Sequence, residues 1–138
     1  MPAVKISPLF QKISHWENFA AHFFNYKVCG ELPPIFGRDE SLDLSDLHHI
    51  DLAGTSQTQV QWAKIKGQYY RTTLRNDPDN DFWLIYAHDP YCDDYLLLTV
   101  IGPDAHNRTE WGSFLRTVHN DVVTPWILGR VVYPDIDD

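Results

Sequence analysis

Two short runs, Phe82 to Tyr86 and Tyr95 to Ile101, constrain this chain most. Both are dense in aromatic, β-branched and leucine side chains, which suits strands better than helices. Asp89-Pro90 and Asp93-Asp94 interrupt them, so the two runs read as a hairpin, and Gly102-Pro103 stops the second. A third strand is expected over Leu47 to Ala53. Alternation there places His48, Ile50 and Leu52 on one face and Leu47, His49 and Asp51 on the other.

Helical signals flank this strand cluster. Trp16, Phe19, Ala20, Phe23, Phe24 and Lys27 recur at three- and four-residue spacing. Ser14 with Glu17 has the form of a capping box before them, and Gly30 stands where a left-handed cap residue closes a helix. Asn107 with Glu110 opens a second helix, expected to run to about Asp121 and to be ended by Pro125, with Trp111, Phe114, Leu115, Val118 and Val122 inward. Val4 to Phe10 suggests a short edge strand. Thr55 to Tyr70 fits neither period and is expected to be a short strand or turn in which Val60, Trp62, Ile65, Tyr69 and Tyr70 seek burial. Thr73 to Asn80 reads as a loop, and residues 132–138 as a frayed tail.

Strands grouped between helices, rather than alternating with them, favour an α+β fold with an antiparallel sheet. The 138 residues, 43% hydrophobic and without a repeat, suit one domain. No apolar run approaches the roughly 20 residues that span a bilayer. Cys29 and Cys92 match no metal or redox spacing, and no export signal is evident, so free thiols and the cytoplasm are expected. The net charge of −8 argues against a surface that is basic throughout. Two basic islands remain, Lys5/Lys12/Lys27 and Lys64/Lys66/Arg71/Arg75.

Four ordered segments add a resemblance. They are Tyr26 to Asp39, with the ungapped LPPIFGRD; His49-Ile50-x-Leu52-Ala53; Arg71-Thr72 with Asp81-x-x-Leu84-Ile85-Tyr86; and Tyr95-Leu96-Leu97 followed by Pro103-x-Ala105-His106. Together they resemble the YafO family of type II toxins, ribosome-dependent mRNA interferases related to the RelE-like toxins. The resemblance covers Phe24 to His106. It implies a RelE-like small antiparallel sheet with an N-terminal and a C-terminal helix packed on it. It departs from the family at Asp51, where a second histidine is usual, in a longer Thr72–Asp81 segment, and in the C-terminal helix.

The implied activity is a metal-independent endoribonuclease acting on translated mRNA, with a cognate antitoxin, the ribosome and mRNA as partners and no cofactor. Such cleavage uses the substrate's own 2′-hydroxyl as nucleophile and needs a base, an acid and a cation at the phosphate. His106, at the end of a strand, is the first choice for acid or base. His49 is the second, with Asp51 two residues on to orient its imidazole and favour its charged form, or to act as the base itself. Arg71 is the expected phosphate ligand, able to hold two oxygens at once, whereas Arg38 reads as structural. Lys64, Lys66 and Arg75 are candidates for contact with RNA or the ribosome; Tyr86, Tyr91 and Trp111 could stack on bases. His48 should point away and pack. A closed zinc site is not expected, because His48 and His49 diverge and no HxH or HxxxH spacing occurs. The rival functions are a toxin relative that binds without cleaving, favoured by the acidic charge and Asp51, and a ligand-binding α+β domain with a deep apolar pocket.

Overall fold

Backbone pairing in the computed structural model, which describes residues 2–73 and 76–136, builds one five-stranded sheet. The strands are β1 (Val4–Ile6), β2 (Phe36–Ser41), β3 (Leu47–Leu52), β4 (Phe82–Asp89) and β5 (Asp94–Ile101), in the order β1-β5-β4-β3-β2. The hairpin read from sequence is the β4–β5 pair at its centre, and β3 runs antiparallel to β4. The sheet is mixed rather than wholly antiparallel, because β1 lies parallel to β5. β1 is no sequence neighbour of β5, so no hairpin forces the antiparallel direction.

Alternation sorts the side chains as expected. Ile50, Leu52, Leu84, Tyr86 and Leu97 share a face with Val4 and Ile6, and the helix α1 (Trp16–Lys27) covers it through Ala20 and Phe23. Leu47, Ile85, Ala87, Leu96 and Leu98 form the other face, beneath Leu115 and Val118 of the helix α3 (Arg108–Val118). The result is a sheet with a helical layer on each side, an α+β arrangement consistent with the RelE-like one.

Several local expectations are corrected. Ser14 does not cap α1: the residue before the helix is His15, left-handed at φ 60°, and its side chain makes no capping hydrogen bond among the described residues. Gly30 does end the helical path, at φ 74°, and the next residue, Glu31, donates its N–H back to the Asn25 carbonyl at 3.0 Å. Phe36 to Ser41, for which no element was expected, forms strand β2. Its glycine is required by a close approach: a Cβ on Gly37 would stand 2.7 Å from the Trp62 ring and against the Arg71 carbonyl.

Thr55 to Tyr70 is not a strand. It holds the helix α2 (Ser56–Ala63), capped by Thr55, whose hydroxyl accepts from the Thr58 N–H at 3.1 Å. Only Trp62 of that helix is buried, and Val60, Tyr69 and Tyr70 are exposed, so the segment never carried an amphipathic period. Pro125 does not end the C-terminal helix. A π turn over His119–Val123 follows α3 and leads into the helix α4 (Thr124–Ile127), with Pro125 in the first turn, where its missing N–H costs nothing. This continuation delivers Val123 and Trp126 to the core. Asn107 caps α3 as expected, accepting from the Glu110 N–H at 3.2 Å.

Residues 134–136 are not frayed. Ile6 donates to the Pro134 carbonyl and Ile136 to the Val4 carbonyl, each at 2.9 Å, which covers the outer edge of β1. Asp137 and Asp138 lie outside the described residues. Among the described residues no helix is long and apolar enough to cross a membrane, and both cysteines are free and exposed.

Candidate active site

The α3–α4 layer stops short of one end of its sheet face. There His49 and Asp51 of β3 and Trp83 of β4 floor a cleft of about 660 Å³. His106, from the turn after β5, and Arg38, from β2, form parts of its wall. The shared face of His49 and Asp51 follows from strand alternation. Their meeting with His106 is tertiary.

His106 is held by Asp81, a residue with no expected role. Its Nδ1 lies 2.7 Å from Asp81 Oδ2, and its backbone N–H donates to the same oxygen at 3.0 Å. Asp81 is almost fully buried, and the Thr73 hydroxyl donates to its other oxygen at 3.0 Å. A carboxylate placed this way keeps the proton on Nδ1. Nε2 makes no hydrogen bond among the described residues, and the imidazole is 46% exposed, so that nitrogen is available to a substrate. Asp81 stood within the family-like segment before β4, but its 25-residue separation from His106 hid the pairing.

Trp83 spaces the two imidazoles. His49 stacks on it at 4.0 Å between centroids, and His106 meets it edge-on at 4.7 Å. His49 Nε2 is 3.5 Å from Asp51 Oδ1, too long for a strong hydrogen bond. The expectation that Asp51 favours the charged form of His49 is overturned. Burial dominates, lowering the His49 pKa to about 4. Burial also raises Asp51 to about 6, against the opposing pull of His106, a Thr73 backbone hydrogen bond and Arg38. At neutral pH the pair is therefore a neutral imidazole beside a carboxylate. His49 Nδ1, Asp51 Oδ1 and Trp83 Nε1 are buried with no hydrogen-bond partner among the described residues.

Arg71 takes the structural part expected of Arg38. Arg71 is buried, and its guanidinium donates to the carbonyls of Ile65, Pro33 and Phe36 at 3.1, 3.2 and 3.1 Å. It fastens the Pro-Pro exit, the start of β2 and the segment after α2, and it does not line the cleft. Arg38 does line it. Its Nε donates to the Tyr69 carbonyl at 2.8 Å and its plane lies 3.7 Å over the Tyr69 ring, while its Nη groups make no hydrogen bond among the described residues.

Tyr86 cannot stack on a base in this structure. It lies on the opposite face, 2% exposed, with its hydroxyl donating to Asp39 at 2.7 Å. His48 stacks on Tyr86, the packing role expected of it. Tyr91 is exposed in the β4–β5 turn, and Lys64 and Lys66 are exposed beyond α2, none of them in the cleft. Arg75 lies outside the described residues. No group of three or more potential metal ligands occurs among the described residues.

Residues 24–126 match the family model described as Toxin YafO, type II toxin-antitoxin system. The chain belongs to the YafO toxin family. Comparison with curated proteins and with solved structures returned no match. The YafO match contains every residue of the cleft and continues through the C-terminal helices to Trp126, past His106 where the motif resemblance stopped. The C-terminal helix is therefore within the YafO family's span despite its unfamiliar sequence. Membership in a type II system implies an antitoxin partner for this YafO-family toxin.

Proposed function

We propose that this YafO-family toxin is an endoribonuclease that cuts mRNA on the translating ribosome, with the substrate's 2′-hydroxyl as nucleophile. One observation carries the reading: His106, fixed by Asp81 with Nε2 free, opens on the same cleft as Asp51 and Arg38. The 2′-oxygen attacks the adjacent phosphorus while Asp51, ionised above about pH 6, takes its proton. The bond from phosphorus to the 5′-oxygen breaks, and protonated His106 gives that oxygen its Nε2 proton. The products are a cyclic phosphate and a 5′-hydroxyl. Arg38 replaces Arg71 as the cation at the phosphate, with its Nη groups stabilising the charge that grows on the transferring group. Because the nucleophile belongs to the substrate, no step is routed through a metal. Lys64, Lys66 and Tyr91 contact ribosomal or messenger RNA, and a cognate antitoxin silences the protein.

The competing reading, binding without cleavage, draws on the net charge of −8 and on Asp51 at the family's histidine position. Mapping of mRNA 5′ ends after incubation with translating ribosomes separates the two. Wild-type protein should create new ends, and His106→Ala should reduce them by about 10²–10⁴-fold. Identical transcripts from both proteins would end the enzymatic reading.

A further inference from the structure

Next to the catalytic cleft lies a second hollow of about 270 Å³ that shares Leu42, Asp43, Trp83 and Arg108 with it. We infer that this hollow is a guanine subsite, which seats the base beside the scissile phosphate. The inference rests on the RNA-cleaving reading of the cleft.

Size and wall chemistry support a single base. The volume falls below the roughly 300–1,000 Å³ of pockets for drug-sized ligands. Trp111, Leu115 and Ala105 supply apolar wall. The Trp111 indole is pinned, with its N–H donating to the Pro103 carbonyl at 3.3 Å, so a flat surface is ready for stacking.

Helix α3 leaves the room. Arg108, Gly112 and Arg116 follow at four-residue spacing and therefore share one helix face. Glycine inside a helix costs stability relative to alanine. Packing does not demand it here: a Cβ on Gly112 would meet nothing closer than the Arg116 Nη1 atom at 3.4 Å, an ordinary contact with the end of a flexible side chain. What the absent side chain preserves is the hollow, flanked by two guanidinium groups.

The polar groups select among bases. Asp43 is exposed and paired with Arg108, which places an acceptor and a donor set together at the rim. Guanine alone offers a carboxylate two adjacent donors, N1–H and the 2-amino group, and also offers guanidinium two acceptors, O6 and N7. Adenine and cytosine present one amino group, and uracil a single N–H. Guanine would exchange the exposed Asp43–Arg108 pair for contacts to both partners.

The test uses the intact protein without ribosomes. The Trp111 indole N–H, assigned with Trp111→Phe, is followed in ¹H–¹⁵N spectra during titration with each nucleoside 3′-monophosphate. Guanosine 3′-monophosphate should shift it at concentrations at least tenfold lower than the other three. Inosine 3′-monophosphate, lacking the 2-amino group, should lose about tenfold for wild type and little for Asp43→Asn. Gly112→Leu, which fills the hollow with a better helix former, should abolish the response while leaving Tm equal or higher. Equal responses to all four nucleotides, no response, or a response untouched by Gly112→Leu would overturn the inference. Guanosine binding by a protein that cuts no mRNA would end the cleavage reading and leave the subsite standing. Cutting without guanine preference would do the reverse.

Discussion

Replacing Asp51 by asparagine should make the protein more stable and catalytically poor at once. Asp51 is 3% exposed, and burial lifts its pKa from 3.8 to about 6. A raised carboxylate pKa means that the ionised group is less comfortable folded than unfolded. Its penalty is complete at pH 7, is relieved as pH falls through about 6, and is gone below about 4. A rise of roughly two pH units is worth about 3 kcal/mol. Asparagine keeps the shape and an acceptor for the Thr73 backbone bond but carries no charge. At about 2–4 °C per kcal/mol for a chain of this size, Tm at pH 7.5 should rise by roughly 6–12 °C. Urea denaturation at pH 7.5, 6 and 4 provides the check. The gain should shrink through pH 6 and vanish near pH 4, where the wild-type carboxyl is protonated. Cleavage should fall about 10²–10⁴-fold, the usual worth of a general base. An asparagine variant that is no more stable at pH 7.5, or whose advantage is unchanged at pH 4, would refute the account of the cleft floor.

Three further outcomes follow from the same geometry. Arg71→Ala strips donors from the carbonyls of Pro33, Phe36 and Ile65 and should cost at least about 3 kcal/mol in urea unfolding, since each buried acceptor left unpaired costs about 1–3 kcal/mol. Arg38→Ala, which removes one bond to the Tyr69 carbonyl, one ring contact and a 3.7 Å ion pair with half-exposed Glu40, should cost only about 1–2 kcal/mol yet abolish mRNA cutting; the opposite ranking would restore Arg71 to the phosphate. His49 is held near pKa 4 against an ordinary 6.5, so its stabilising share is present above pH 6.5 and is lost as pH falls through 4. His49→Phe should retain the stack on Trp83 and flatten the acid limb of the stability profile by up to about 3 kcal/mol, an effect readable by thermal melts between pH 7 and 4.

Much of the frame was legible because it is written in local patterns. Aromatic and β-branched content identified the two central hairpin strands, and alternation in the third put His49 and Asp51 on one face, apart from His48. Spacing and Gly30 located α1, and Asn107 located the start of α3. Three elements escaped, among them α4, which runs on past the proline expected to end its helix. β2 is polar along much of its length and becomes a strand through pairing with β3 on one side and the bond from its Arg38 N–H to the Arg71 carbonyl on the other. α2 buries only Trp62, so its helical period has no apolar signature. Tyr86 carries the same ring as exposed Tyr91, and nothing in either residue announces that one anchors Asp39 inside the fold.

Sequence by itself determined which segments could become strands and helices, which side chains would share a strand face, and which family the motifs resemble. Those properties follow from the geometry of a few adjacent residues. Tertiary structure alone decided which arginine is spent on carbonyls and which faces the cleft, which distant carboxylate holds His106, and that burial reverses the protonation first expected of His49 beside Asp51. Burial and partnership depend on what lies across space, and chain order does not record that until the layers close.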